Sequence, residues 1–324
     1  MKRKLYLDIV KIVAILCVVA YHIDYFWRSS EVALLSSSLL SLFTVIGAMG
    51  VPLFVMTSGA LIMGKNLSSF ENIKRFYTKN LLSIYITGAI WYAIYYCYNT
   101  LDITGKGMLQ SLLMLNKPES HLWYIRMILI YYLLMPLIVY MKNHWNKVFI
   151  CIVVVIGLCL FGRSLYLMVN KTPFPTTSGY SYACYLVYMT IGYYISKGDI
   201  KVKRVLVPLG LLLLGYGIAY YMMNQNYFEL YWYDNPLVLV SSVSLFCLTK
   251  RCFGHLTEKR VLTELSNMTF GVYLIHILLI YLVGTLLRSY LNLFVDLLLI
   301  IILSFIIVRI SHKIPIISKY LFRY

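Results

Sequence analysis

The chain has 324 residues, of which 61% are hydrophobic and 13% charged, and its mean hydropathy is +0.77. This excludes a soluble globular domain; repeated apolar stretches of about 20 residues specify a polytopic helical membrane protein, whereas a β-barrel would alternate in short segments. The formal net charge of +17 is spread over short loops, where it sets membrane orientation; nucleic acid is therefore not expected as a partner, and part of the charge suits anionic lipids or an anionic ligand.

Ten spans are predicted, at 6–27, 39–63, 81–100, 122–141, 148–168, 181–196, 205–223, 236–250, 262–287 and 291–310. Almost nothing lies between them. The expectation is an all-α polytopic bundle of about ten transmembrane helices, forming a single membrane domain over 1–324. The start Met1-Lys2-Arg3-Lys4 followed by an apolar run resembles a signal peptide. It lacks a clear small-residue cleavage site and contains Lys11 and His22, so it reads as a retained first helix. With the N-terminus inside, 21 Lys and Arg fall on the cytoplasmic side and six on the other, which predicts both termini in the cytoplasm. The seven cysteines lie mostly within spans and form no CxxC pair, so neither a disulfide framework nor a metal site is expected.

The first span holds Asp8, Lys11 and His22. Titratable groups inside a bilayer are costly and default to function. Lys11 and His22 are three helical turns apart, so they face one way, about 16 Å apart along the axis. Asp8 precedes Lys11 by three residues and can pair with it. Asp24 sits on a different face from His22. The structural alternative is that Lys11 snorkels to the inner interface while His22 caps the outer end.

In the second span, Gly50, Pro52 and Gly59 predict a kink. The basic loop that follows, with Lys65, Lys74, Arg75 and Lys79, suits either orientation or an anionic phosphate donor. The fourth span opens Pro118-Glu119-Ser120-His121-Leu122-Trp123-Tyr124-Ile125-Arg126. A helix begun at Glu119 would put Glu119, Trp123 and Arg126 on one face, with His121 at the same level. Arg126 would need an acidic partner, Glu119 or Asp234; a structural ion pair is the alternative. The ninth span carries Ser266, Thr269, Tyr273 and His276 as one polar stripe. Hydrogen bonding across helices explains Ser266 and Thr269; for His276 structure and function both stand. The outer segments 101–121, 169–180 and 224–235 are the longest or the richest in aromatic and amide groups. They suit an interfacial belt or a sugar-binding surface.

Four of these segments together resemble the acyltransferase-3 family of integral-membrane O-acyltransferases. They are Leu7-Asp8-x-x-Lys11-x10-His22, Gly50-Val51-Pro52-Leu53-Phe54-Val55-Met56-Thr57-Ser58-Gly59, His121-Leu122-Trp123-Tyr124 with Tyr132-Leu133-Leu134-Met135-Pro136, and Ser266-x-x-Thr269-Phe270-Gly271-Val272-Tyr273-Leu274-Ile275-His276. The resemblance covers nearly the whole chain in the right order. One departure is local. Where many members carry an Arg-x-x-Arg pair attributed to the acyl-CoA site, this chain offers Lys74, Arg75 and Lys79, then Asn80 and Ser83.

The resemblance implies transfer of an acyl group, with acetyl as the expectation, from cytoplasmic acyl-CoA to a hydroxyl of a cell-envelope glycan or its lipid-linked precursor. It places the protein in a bacterial cytoplasmic membrane. His22 is then the general base or transient acyl carrier, and Lys11 a catalytic and donor-binding cation. Lys74, Arg75 and Lys79 are expected to hold the donor. Glu119, His121, Trp123, Arg126, Ser266, Tyr273 and His276 are expected to meet substrate. Acyl-CoA is a donor substrate, and no resident cofactor is expected. A transporter or flippase is the rival reading, since intramembrane charges suit that class too. A sensor without turnover is the third.

Overall fold

A computed structural model describes residues 3–28, 37–100, 105–170, 182–198, 210, 213, 215, 233–287 and 292–323. All elements among them are helical. In chain order they are α1 (Leu5–Arg28), α2 (Ser37–Gly47), α3 (Gly50–Ile62), α4 (Phe70–Phe76), a π-helical turn Tyr77–Leu81, α5 (Leu82–Thr100) and α6 (Gly105–Leu112). A 3-10 turn at Ser120–Leu122 leads into α7 (Trp123–His144) and α8 (Asn146–Val169). Then come α9 (Ala183–Lys197), α10 (Pro236–Phe253), α11 (Arg260–Leu287), α12 (Leu293–Ser311) and a second π-helical turn, Ile317–Phe322.

Eight stretches among the described residues are long and apolar enough to cross a membrane: Leu5–Trp27, Leu42–Ile62, Phe70–Thr100, Ser120–His144, Asn146–Leu167, Pro236–Phe253, Arg260–Leu286 and Leu293–Ser311. They coincide with eight of the ten expected spans. The expected span 181–196 is a helix of 15 residues, about 22 Å long against a hydrocarbon core of about 30 Å. The expected span 205–223 lies outside the described residues except at 210, 213 and 215. Burial follows the membrane pattern. Leu158, Val155, Leu298 and Ile302 point outward, while Asp8, Asp24, Asp296 and His276 are buried.

The chain forms two compact units, residues 1–64 with 149–305, and residues 65–148 with 306–324. In the first unit, α1 and α11 pack side by side and run parallel. Asp8 meets Ser266, His22 faces His276 and Phe26 faces Tyr281.

The expected kink near Pro52 takes the form of a break. The helix is interrupted at Ala48 and Met49, and Pro52, which has no N–H to donate, falls in the first turn of α3. The two glycines flanking the break let it press on α1. A Cβ on Gly47 would lie 2.6 Å from the Cβ of Tyr21, and one on Gly50 would lie 2.8 Å from the carbonyl oxygen of Ala14. Asp24 of α1 accepts a hydrogen bond from Thr44 of α2 in the buried interior.

Helices α3 and α9 cross backbone to backbone. A Cβ on Gly59 would lie 2.0 Å from the Met189 carbonyl oxygen, and one on Gly192 would lie 2.2 Å from that of Met56. Such small-residue crossings suit a bilayer, where helices associate by close packing rather than by expelling water. The C-terminal carbonyls of α9 are capped by cations. Lys4 Nζ donates to the Ser196 carbonyl at 3.2 Å, and Lys250 donates to that of Ile195.

In the second unit, α5 and α7 are tied by Tyr92, whose hydroxyl donates to the Leu122 carbonyl at 3.1 Å. Tyr77 of the first π-helical turn donates to the Leu133 carbonyl at 2.8 Å.

Candidate functional site

The polar face of α1 lies against the polar stripe of α11, and their side chains meet at two levels. At the first level Asp8 is the hub. Arg3 grips its carboxylate with two hydrogen bonds of 2.8 Å, and Ser266 donates to Oδ1 at 2.6 Å. Lys11 Nζ stands 3.5 Å from the same oxygen. Arg3 also donates to Asn267 Oδ1 at 2.9 Å, which fastens the start of α1 to α11. Asp8 is buried, as an acid inside a membrane must be when paired. The Lys11 side chain is 22% exposed, against 4% for that of Asp8. The hydrogen bond that Arg3 donates to Asp8 also raises the Arg3 guanidinium above its ordinary range, against the effect of burial.

At the second level are two imidazoles. The rings of His22 and His276 are 5.2 Å apart, and Tyr21 packs edge-on to His22 at 5.4 Å. His276 Nδ1 lies 2.7 Å from the Tyr273 carbonyl oxygen. A carbonyl only accepts, so Nδ1 carries the proton and Nε2 of the neutral ring holds the lone pair. His276 is fully buried, while His22 is half-buried. Tyr273, also buried, lies 6.0 Å from the His276 ring, and the Thr269 hydroxyl donates to the Ser266 carbonyl within α11.

The remaining expected site residues belong to the second unit. Lys74 and Arg75 occupy the last turn of α4, and Lys79 lies in the π-helical turn; all three are exposed. Short π-helical insertions of this kind occur often at functional sites. Of the two positions in the expected arginine pair, Asn80 donates to the Phe76 carbonyl, whereas Ser83 accepts from Arg323 Nε at 3.0 Å. Arg323 is one of the basic residues that the charge count places on the cytoplasmic side. Its partner is 240 positions away, and no local pattern announces such a contact.

The expected shared face of Glu119, Trp123 and Arg126 does not form. Glu119 is extended, with φ −150° and ψ 145°, and its carboxylate accepts from the Ser120 N–H at 3.0 Å. It caps the 3-10 turn, and the α-helix begins only at Trp123. Among the described residues no ion pair joins Arg126 to Glu119. Arg126 Nε is buried without a hydrogen-bond partner among the described residues. Asp234 instead lies in the field of Arg163, and burial raises its carboxyl above the usual range. His121 is buried with its ring 5.0 Å from that of Tyr95, and Trp123 is half-buried.

A further pair was not anticipated from the sequence. Trp27 Nε1 donates to Asp296 Oδ2 at 2.8 Å in the interior, linking α1 to α12. An acidic residue early in a very apolar span was the available signal.

Comparison with curated proteins and with solved structures gave no match. A family model described as an acyltransferase domain matches residues 4–311, a stretch that holds both levels of the α1–α11 seam and the second unit as far as α12. The chain therefore belongs to the acyltransferase-3 family, and it is a multi-pass membrane acyltransferase.

Proposed function

We propose that this acyltransferase moves an acetyl group from cytoplasmic acetyl-CoA to a hydroxyl of an extracytoplasmic cell-envelope glycan or its lipid-linked precursor, in the cytoplasmic membrane of a bacterium. The observation that carries this reading is the imidazole pair, with a half-buried His22 against a buried His276. Two neutral rings in an apolar setting suit proton transfer, because an imidazole operates near neutral pH.

The acceptor hydroxyl gives its proton to His22 as its oxygen attacks the thioester carbonyl. The tetrahedral intermediate collapses, the C–S bond breaks, and the proton passes to the leaving thiolate. The products are the acetyl ester and free CoA. In the two-step version His22 itself attacks the thioester and the C–S bond breaks to release CoA thiolate; the acceptor oxygen then attacks the acetyl-imidazole, the ring leaves, and the hydroxyl proton ends on the thiolate. His276, held by the Tyr273 carbonyl, keeps the His22 ring in place. Lys11 presents positive charge on the same face of α1, three turns from His22, toward the donor phosphates. Lys74, Arg75 and Lys79 offer exposed cations to the donor, as Lys suits phosphate. Glu119, His121, Trp123, Arg126, Ser266 and Tyr273 stay in the proposal as candidates for contacting substrate. Both termini lie in the cytoplasm in this reading, consistent with the charge count. Lipids of the membrane are the other standing partner.

The test is acetyl-CoA turnover by the purified protein in the presence of envelope glycan precursors. CoA release is followed with a thiol reagent, and the acceptor is weighed by mass spectrometry. Acetyl-CoA-dependent mass gain on a glycan that disappears in His22→Ala is the expected result. Movement of a precursor across vesicles with no CoA release would refute the reading in favour of a flippase.

A further inference from the structure

The second unit holds a cation inside a span with nothing beside it to answer the charge. No hydrogen bond or ion pair joins Arg126 to the described residues of its unit, and its Nε is buried. It lies six positions into the span Ser120–His144. A charged side chain at such a place is costly, and it is kept where it meets water or a ligand.

The contacts of α5 show how deep Arg126 lies. Helix α7 runs back along α5: Asn99 donates to the Pro118 carbonyl, Tyr92 to that of Leu122 at 3.1 Å, and Tyr77 to that of Leu133 at 2.8 Å. Helix α6 follows the same wall. A Cβ on Gly107 would collide with the Tyr96 hydroxyl, and Tyr85 donates to the Leu112 carbonyl at 3.1 Å. The segment 105–117 therefore dips beside α5 and returns, a re-entrant loop between two spans. It turns at Met114. The Leu115 N–H donates to the Gln110 carbonyl at 2.8 Å and the Met114 N–H to that of Ser111 at 2.8 Å, a Schellman closure that puts Met114 at φ 55°. Glycine is the usual residue there. Methionine instead supplies a side chain that enters the gap left by Gly88. A Cβ on Gly88 would lie 2.6 Å from Met114 Cε and 2.7 Å from Ile125 Cγ2. The tip of the loop and the residue before Arg126 thus meet on α5. Gly88 is 11 positions from Asn99, or about 16 Å along the helix.

The outer surface of the loop is apolar, with Leu109, Leu113 and Leu115 exposed, as lipid contact requires. Its interior is polar. Asn116 Nδ2 donates to Ser111 Oγ at 2.5 Å, while Asn116 Oδ1 is buried and, like Arg126 Nε, has no hydrogen-bond partner among the described residues. Buried polar atoms of this kind are ordinarily satisfied by water or a ligand. Side chains lean toward the N-terminus of their helix, so Arg126 reaches back toward the mouth of the span.

We infer that Arg126 anchors a phosphate group of the acceptor, in a recess between the re-entrant loop and α7. A guanidinium matches phosphate oxygens, and the lipid-facing wall beside it suits a phosphate that arrives on a lipid. A precursor still joined to its lipid carries phosphate at the join, and a released neutral glycan does not. The site thus selects the lipid-linked acceptor. That the occupant is the acceptor rests on the acyl-transfer reading; the affinity for a lipid phosphate does not. An ordinary anionic phospholipid is the other source of the same chemistry.

Native mass spectrometry of the full chain in mild detergent counts retained lipid, with polyprenyl phosphate in one arm and phosphatidylglycerol in the other. Arg126→Gln is expected to weaken retention of polyprenyl phosphate about tenfold or more, the loss of one charge-assisted contact. Arg126→Lys should keep part of it. Lys117→Gln, at an exposed cation of the same loop, is the control and should change nothing. Since Arg126 has no ion pair to lose among the described residues of its unit, Arg126→Gln should unfold at or above the wild-type temperature. Arg126-dependent retention of polyprenyl phosphate supports the site. Dependence in the phosphatidylglycerol arm alone overturns the acceptor as occupant. Unchanged retention in both arms, an equal loss in Lys117→Gln, or a lowered unfolding temperature in Arg126→Gln overturns the site. Failure of the acyl-transfer reading looks different. Arg126-dependent retention with no CoA release refutes the chemistry and keeps the site. Turnover of a lipid-linked glycan by Arg126→Gln at the wild-type rate refutes the site alone.

Discussion

Ser266 donates its hydroxyl proton to Asp8 at 2.6 Å, across 258 positions of sequence. The contact fixes the register of α11 on α1, and that register brings His276 to within 5.2 Å of His22. A structural pair at one level thus sets a chemical pair at the other.

Asp8→Asn should therefore destabilise the protein. The change removes a buried carboxylate shared by Arg3, Lys11 and Ser266. Because the Arg3 side chain is 35% exposed, solvent discounts its share. The expected loss is about 1–3 kcal/mol, against about 0.5–1.5 kcal/mol for Ser266→Ala. Thermal unfolding in detergent, read by tryptophan fluorescence, compares the two. An Asp8→Asn midpoint equal to that of wild type would show that the hub contributes nothing.

His22→Ala should lower turnover by about 10²–10⁴-fold, the range of a lost acid–base group. The unfolding midpoint should move little, because His22 is only half-buried. His276→Ala should cost turnover less. It removes the neighbour that positions His22, not the group that takes the proton. Rates of CoA release per mole of folded protein measure both, and a His276 variant slower than His22→Ala would reverse the assignment.

The α3–α9 crossing should tolerate no side chain. Gly59→Ala places a methyl where the Met189 carbonyl oxygen would be 2.0 Å away, and Gly192→Ala meets that of Met56 at 2.2 Å. These are backbone atoms, so the helices must separate for either methyl to fit. Both variants should give little monodisperse protein on size exclusion. Gly162→Ala is the control, since a Cβ there would meet nothing within 4 Å and helix propensity favours alanine. Normal yields of Gly59→Ala would contradict the packing.

Trp27→Phe should cost about 1–3 kcal/mol, because a buried carboxylate loses its indole donor. In a cycle with Asp296→Asn the two changes should couple by about 0.5–3 kcal/mol, as residues in contact do. Additive unfolding energies would mean that Trp27 and Asp296 do not act together.

The legible part of the site was the part that helical periodicity controls. Lys11 and His22 share a face because of their spacing, and Asp8 pairs with Lys11 as that spacing requires. The same reasoning failed at Glu119, because a periodic pattern does not say where a helix starts. A carboxylate that caps its own following N–H ended the helix there. Eight of the ten expected spans have helices of adequate length, since apolarity over about 20 residues is itself the physical requirement for crossing.

By itself the sequence determined the solvent of this protein, its helices and which face of each is polar, because those depend on composition and on a local period of 3.6 residues. Only the tertiary structure decided which polar faces meet: Asp8 with Ser266, His22 with His276, Trp27 with Asp296 and Ser83 with Arg323. The physical reason is that polar groups in an apolar medium must find partners, yet the partner is chosen by how helices pack. That choice rests on backbone clearances at residues such as Gly47, Gly59 and Gly192, which no spacing along the chain reveals.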